Sequence, residues 1–192
     1  MKVREATDAD VEAAAATLTN ALADYPMSRA CFDPDGYLER LTEYHRLFVG
    51  GVGLPHGRVW VTDDVSAVAV WLPPDLPADA FAPYRERFVG LAGSKASVTT
   101  EYGQAISLFH PREPVWLLAL VGVEPDRQRQ GLGRAVISPG LAVADAAQSP
   151  AFVETQEPEN VGFYESLGFT VIAELELPHN GPIHYALYRP GG

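Results

Sequence analysis

The chain has 192 residues, a formal net charge of −11 and an apolar fraction of 47%, so it can bury a core and is expected to form one domain over residues 1–192. No apolar run reaches the roughly 18 residues of a membrane span, and the acidic balance argues against nucleic acid as a partner. The single cysteine, Cys31, excludes an internal disulfide framework and, with a charged N-terminal segment, predicts a cytoplasmic location.

Two helices are predicted in the first quarter of the chain. The first covers residues 7–25, where Thr7 can cap the helix and Asp10 completes a capping box before an alanine-rich stretch. The second begins at Tyr37, because apolar residues recur at helical spacing as far as Phe48. The segment PMSRACFDPDG is interpreted as the connection between them.

A β-hairpin is predicted next. The β-rich runs GRVWVTDD and VSAVAVWLP meet at Asp63 and Asp64, which suit a turn. Trp60 and Trp71 in this hairpin are expected in the sheet core, with pocket walls as the alternative. The proline-rich segment PPDLPADAFAP is predicted to be a loop, and residues 80–110 are predicted to be mostly helical, although their pattern is weak.

The second half of the chain alternates strands and helices. The predicted order is strand 115–123, helix 131–147, strand 151–156, helix 158–167 and two strands, FTVIAELEL and IHYALYR. Pro139 is expected to kink helix 131–147, and Gly168 suits the C′ position of helix 158–167. This order predicts an α/β (α+β) fold with a mixed central sheet and helices on both faces. The five histidines show no metal-ligand spacing, so no metal is expected.

A basic, glycine-containing turn joins strand 115–123 to helix 131–147. Its sequence, VEPDRQRQGLGR, places three of the 14 basic residues of the chain beside two glycines. A helix N-terminus has unpaired N–H groups, and preceding glycines let an anion approach them, so a phosphate cradle is predicted. A turn with solvated arginines is the alternative. Val136 departs from a Rossmann fingerprint, and Arg134-Ala135 departs from a P-loop.

Two motifs together resemble the GNAT superfamily of N-acetyltransferases. The first is Q-x-x-G-x-G at Gln128–Gly133, and the second is PENVGFYESLGF about 30 residues later. The resemblance implies a GNAT fold and direct transfer of an acetyl group, in a ternary complex, from acetyl-CoA to the primary amine of a small molecule. It also implies cofactor contacts at Val121, Gly122, Val123, Arg129, Gln130, Gly131, Leu132, Gly133, Arg134, Asn160 and Phe163.

Two catalytic residues are expected. The resemblance implies that Tyr164 protonates the leaving sulfur; a core aromatic is the alternative role. Tyr164 lies four residues after Asn160 and therefore on the same helix face. Glu154 ends the strand beside the cofactor strand and is the candidate general base, directly or through water. An ordinary carboxylate at a strand end is its alternative role.

The acceptor site is expected between the first two helices. Asp24, Tyr25, Arg29 and Phe32 occupy what resembles the substrate-side loop of the family, with an ordinary helix–helix connection as the alternative. An aminonucleoside antibiotic such as puromycin is the first expected acceptor. An amino acid, a peptide N-terminus or an aminoglycoside is the alternative, as is a non-catalytic acyl-CoA-binding regulatory module. No membrane or nucleic-acid partner is expected, and the chain is expected to be a monomer or a homodimer.

Overall fold

The computed structural model describes residues 2–192 and contains a seven-stranded mixed sheet in the order β1-β2-β3-β4-β5-β7-β6. All neighbouring strands are antiparallel except β4 and β5, which are parallel. The strands are β1 Val3–Glu5, β2 Arg58–Thr62, β3 Ala67–Leu72, β4 Trp116–Val123, β5 Ala151–Thr155, β6 Thr170–Glu176 and β7 Ile183–Arg189.

Eight α-helices occur within residues 2–192. They are α1 Val11–Leu22, α2 Pro26–Cys31, α3 Tyr37–Leu47, α4 Leu54–His56, α5 Arg85–Ala92, α6 Ala96–Ser107, α7 Leu132–Ala146 and α8 Pro158–Glu165. None of the helices in residues 2–192 is both long and apolar enough to cross a bilayer. The predicted mixed sheet with helices on both faces is confirmed.

Strand β3 is buried on both faces, so successive side chains enter two different cores. Ala69 and Trp71 pack with α7 on one face, whereas Val68 and Val70 pack with α1 on the other. Because burial of each large aliphatic side chain contributes about 1.5–3 kcal/mol, this strand holds the two helix layers together.

The first predicted helix forms, but it ends earlier than expected. Thr7 and Asp10 make the predicted capping box, and Asp10 also pairs with Arg4 at 2.8 Å. α1 stops at Leu22, and Tyr25 instead caps α2, with Pro26 at its first position. Proline at the start of a helix loses no hydrogen bond, which is why the predicted connection contains a short helix.

Further short elements were missed. β1 has only three residues and pairs with β2 at the edge of the sheet, too short for a periodic signal. Residues Phe48–Gly53 continue from α3 as a π-helical turn. The hairpin β2–β3, the helices within residues 80–110 and the later strands and helices follow the predicted order. Gly168 has φ +92° after α8, as its predicted C′ position requires.

Helix α7 passes through Pro139 without ending. The next residue, Gly140, faces the indole of Trp71, which is fully buried. A Cβ added at Gly140 would lie only 2.2 Å from Nε1 of Trp71. The absence of a side chain therefore lets the helix approach β3 at this point.

We expect Gly140→Ala to lower the free energy of unfolding by about 1–3 kcal/mol, because the methyl group must displace a buried indole. Urea unfolding measures this change. Gly90→Ala in α5 is the matched control, since a Cβ there meets nothing within 4 Å. It should leave stability unchanged or raise it slightly by restricting the unfolded chain. Equal stability of the two variants would contradict the close contact.

Candidate active site

The site begins where the two parallel strands separate. β4 and β5 pair only at Trp116–Leu118 against Ala151–Val153, although β4 continues to Val123. Beyond these pairs lies a cavity of about 380 Å³ between the strands. The separation leaves main-chain groups of β4 without a partner on β5, and a ligand can bond to them as an added strand would.

A β-bulge accompanies the separation. Leu118 pairs with Trp71 of β3 and Leu120 pairs with Val70, so Ala119 is the additional residue on β4. A bulge bends its strand and increases the local twist, which turns the end of β4 away from β5. Ala119 and Val121 line the cavity as a result.

The glycine turn, where the anion cradle is predicted, lies at the start of α7. Gly131 has φ +82°, a left-handed conformation that glycine adopts without strain. The first hydrogen bond of the helix runs from the Ala135 N–H to the Gly131 carbonyl at 3.0 Å. The N–H groups that precede Ala135 in the helix therefore have no intrahelical acceptor. The side chains of Gln128 and Gln130 bond back to the Val123 and Asp126 carbonyls at 3.3 and 3.4 Å, which orders the turn.

The arginines of the turn differ in their partners. Arg127 pairs with Asp64 at 3.2 Å, and Arg134 donates to Oγ of Ser166 at 2.6 Å. Arg129 is exposed, and its guanidinium has no ion pair or hydrogen bond within residues 2–192. Of the three, Arg129 therefore has its charge free for an anion.

Three other predicted cofactor residues, Leu132, Gly122 and Phe163, do not present a side chain to the cavity. Leu132 is buried in the core with α7, so only its main chain can face a ligand. Gly122 packs against α1, where an added Cβ would lie 2.9 Å from Cβ of Ala21. Phe163 does not line the cavity and packs on the core near Gly133.

Helix α8 brings Asn160 and Tyr164 to the cavity, as their four-residue spacing predicts. The amide nitrogen of Asn160 lies 3.4 Å from Oγ1 of Thr155. The hydroxyl of Tyr164 has no hydrogen-bond partner within residues 2–192. Burial, with a smaller effect from Tyr25, raises the pKa of Tyr164 well above its usual value. Tyr164 is therefore a neutral phenol with a free donor.

Glu154 lies at the end of β5 between two imidazoles. Its Oε1 lies 3.0 Å from Nε2 of His110 and 3.2 Å from Nε2 of His184. The His184 contact is close but poorly angled, so the His110 bond is the stronger one. Burial alone would raise the pKa of Glu154, but these imidazoles outweigh it and hold that pKa below its usual range. The carboxylate is thus ionised at neutral pH and lines the cavity.

The opposite wall of the cavity is mostly apolar and aromatic. It comes from α1, α2, α3, α6 and the residue that follows α2, through Leu22, Met27, Cys31, Phe32, Leu41, Tyr44, Tyr102 and Ile106. His45 also lines this wall, with Nδ1 3.0 Å from Oγ1 of Thr19, and burial lowers its pKa to about 3. His45 is accordingly neutral at physiological pH.

The predicted acceptor residues do not all meet at this wall. Phe32 and Tyr25 line the cavity, but the Tyr25 hydroxyl bonds to Oγ1 of Thr155 at 2.9 Å and accepts the Gln156 N–H at 2.8 Å. Asp24 and Arg29 pair with each other at 2.6 Å on the exposed surface and do not line the cavity. The placement gives no support to an acceptor contact at Asp24 or Arg29.

The two tryptophans lie outside the cavity, and three histidines lie in or beside it. Neither Trp60 nor Trp71 lines the cavity, and Trp71 lies in the sheet core. The sequence prediction missed His45, His110 and His184, although His184 stands among apolar residues of an alternating strand, a signal that it faces inward. No group of His, Cys, Asp or Glu side chains within residues 2–192 could hold a metal ion.

The chain is similar to known acetyltransferases in sequence and in fold. A model described as "Acetyltransferase (GNAT) family" matches residues 54–169. The solved structure of a histone acetyltransferase HPA2 and related acetyltransferase from Corynebacterium glutamicum is similar with a TM-score of 0.79 and 23% identity, over 100% of this chain and 96% of that one. An agmatine N-acetyltransferase gives a TM-score of 0.67 and 14% identity, over 98% of each chain. The polyamine N-acetyltransferase of Drosophila melanogaster gives 0.59 and 16%, over 97% of this chain and 96% of that one.

We expect Tyr25→Phe to lower the free energy of unfolding by about 1–3 kcal/mol, since a part-buried Gln156 N–H loses its acceptor. Urea unfolding and the acceptor KM should be measured together. Tyr188→Phe, which removes an exposed bond to Glu113, is the control and should change stability by under about 0.5 kcal/mol. An unchanged stability with a raised acceptor KM would assign Tyr25 to the substrate instead.

Proposed function

Because the chain belongs to the GNAT family of acetyltransferases, whose members transfer acetyl groups from acetyl-CoA to amines, we propose that residues 1–192 act as one catalytic domain on a small primary amine with an aromatic body. The observation that carries this proposal is the cavity between β4 and β5. An ionised carboxylate and a neutral phenol line it, and aromatic and apolar side chains form its opposite wall.

The residues present fit acetyl-CoA. Acetyl-CoA supplies the acetyl group as a thioester and leaves as the free thiol. The N–H groups at the start of α7, with the charge of Arg129, suit its pyrophosphate. The free edge of β4 at Val121 and Val123 suits its pantetheine amides, and Asn160 lies beside the same cavity. Main-chain donors of this edge can also polarise the acetyl carbonyl.

Glu154 is proposed to accept the proton of the amine, directly or through water. Its lowered pKa makes it a weak base, which matters for the kind of amine that it can serve. Deprotonating a lysine-like amine at pH 7 costs about 4–5 kcal/mol, whereas an α-amine costs about 1 kcal/mol. The site therefore favours an amine of low pKa.

Tyr164 is proposed to donate to the leaving sulfur. Its hydroxyl lacks a partner in residues 2–192, so no existing hydrogen bond must break. A model thiol has a pKa near 8.5, below the raised pKa of Tyr164, so proton transfer is uphill until negative charge accumulates on the sulfur. The phenol therefore acts late, as the carbon–sulfur bond breaks.

Puromycin or a related aminonucleoside is the proposed acceptor. It carries an α-amine beside a methoxytyrosine-like group, in agreement with a weak base and an aromatic wall. The segments ADYP, DPDGYLERLTE, VWVTDD and EPVWLLALVGVEPDRQRQGLG also resemble puromycin N-acetyltransferase, in the same order. Acetylation of this amine in the cytoplasm would be a resistance activity.

Thiol release from acetyl-CoA, with and without puromycin, tests the proposed function. We expect puromycin-dependent release, and we expect Tyr164→Phe to lower kcat by on the order of 100-fold with little change in acetyl-CoA binding. Tyr188→Phe on the surface is the control. Release with other amines alone would exclude puromycin. Acetyl-CoA binding without release for any amine would indicate a non-catalytic acyl-CoA-binding module.

We expect Arg129→Glu to raise the KM for acetyl-CoA by on the order of 10-fold, since it removes a charge-assisted contact and adds repulsion. The acceptor KM should change little. Arg85→Glu makes the same charge reversal on the exposed start of α5 and should leave both constants unchanged. Equal increases in both constants for Arg129→Glu would count against the cradle.

A further inference from the structure

Four side chains form a connected row from the interior of the sheet to the surface. Gln156 contacts Nδ1 of His184 at 2.7 Å, Nε2 of His184 lies 3.2 Å from Glu154, and Glu154 lies 3.0 Å from Nε2 of His110. The exposed fraction rises along the row, from 1% for the His184 side chain through 22% for Glu154 to 43% for His110. Only Glu154 and Gln156 line the cavity.

The inner end of the row is closed to protons. The amide nitrogen of Gln156 donates to Nδ1 of His184, and Nε2 of the same ring faces Glu154. The ring is buried and has no exposed edge from which a proton could leave. His184 therefore offers no route by which a proton of Glu154 could reach solvent.

The outer end is open. His110 lies in the segment between α6 and β4, with its ring edge-on to Phe152 at a centroid distance of 5.2 Å. The titratable groups that lower the pKa of Glu154 are His110 and His184. Burial raises the pKa of Tyr25, and the negative charges of Glu157 and Glu154 raise it further. Glu154 is the one carboxylate that acts on His110, and it raises the pKa of that imidazole.

The reaction requires a route for one proton. An ammonium acceptor carries three protons on nitrogen and the amide product carries one. One of the two released protons ends on the thiol, and the other must leave the cavity at each turnover. Glu154 contacts the cavity on one side and His110 on the other, and His110 is half in solvent.

We propose that His110 relays the proton of the acceptor amine from the partly buried Glu154 to solvent. This inference rests on the proposed function. The N–H bond of the amine breaks, its electron pair stays on nitrogen, and the proton passes to Glu154. Neutral His110 that carries its proton at Nδ1 then takes that proton at Nε2, which restores the carboxylate. The imidazolium loses its Nδ1 proton to bulk water, and proton exchange through water between the two ring nitrogens restores the starting tautomer.

The relative acidity of the two groups makes this transfer favourable. The pKa of Glu154 lies below its usual range, and that of His110 lies above its own. A proton on Glu154 is therefore more stable on His110. Release to solvent becomes faster as the pH approaches the pKa of His110, so kcat should rise with pH through this ionisation, which the Glu154 contact moves above the usual range of a histidine.

His110→Gln tests the relay, because glutamine can donate a hydrogen bond to Glu154 but cannot titrate. We expect kcat at pH 7 in weak buffer to fall by on the order of 10-fold or more and its rise with pH to be lost. Added imidazole should restore kcat in the variant and leave the wild type unchanged. His179→Gln removes a comparable exposed contact to Glu101 outside the cavity and should behave as wild type.

Full kcat and an unchanged pH profile in His110→Gln would overturn the relay while the proposed function stood. A wild-type protein that acetylates no amine would overturn both. An activity-independent readout is the NMR titration of the His110 ring. Its pKa should fall in Glu154→Gln, and an unchanged value would overturn the relay whatever the activity.

Discussion

The separation of two parallel strands is the constraint on which the rest of this structure depends. β4 and β5 share three residue pairs and then diverge, which leaves main-chain donors and acceptors of β4 facing a cavity. Unpaired main-chain groups cost free energy unless water or a ligand satisfies them. The bulge at Ala119 maintains the separation by bending β4, while β3 still pairs with β4 on the other side.

The position of the functional groups follows from this separation. The chain leaves β4 into the glycine turn and α7, and it leaves β5 into α8. Both strands therefore end at the same edge of the sheet and deliver their following helices there. One helix presents free N–H groups and the other presents Asn160 and Tyr164. Ligand sites at the carboxyl ends of parallel strands have this origin in other α/β proteins.

The charges of the site are arranged against the overall charge of the protein. A net charge of −11 would repel a polyanionic cosubstrate, yet Arg129 stands unpaired at the cradle. Around Glu154, two imidazoles face a single carboxylate. Proximity to these rings keeps Glu154 ionised, and burial keeps Tyr164 and His45 neutral. The cavity thus contains one negative charge and several neutral donors.

The amino-acid sequence by itself determined the elements whose signals are local. The capping box at Thr7, the β2–β3 hairpin, the glycine turn and the four-residue spacing of Asn160 and Tyr164 all act over a few residues, so periodicity and turn chemistry reveal them. The two motifs together also indicated the family.

Only the tertiary structure decided which distant side chains meet. The antiparallel register of β5 and β7, with Thr155 opposite Tyr185, brings His184 to Gln156 across 28 residues. The segment before β4 brings His110 to Glu154 across 44 residues. Likewise, the connection between α1 and α3 places Phe32 in the cavity and Arg29 on the surface. A pattern along the chain defines the face of one element, but the partner of that face depends on the packing of all the others.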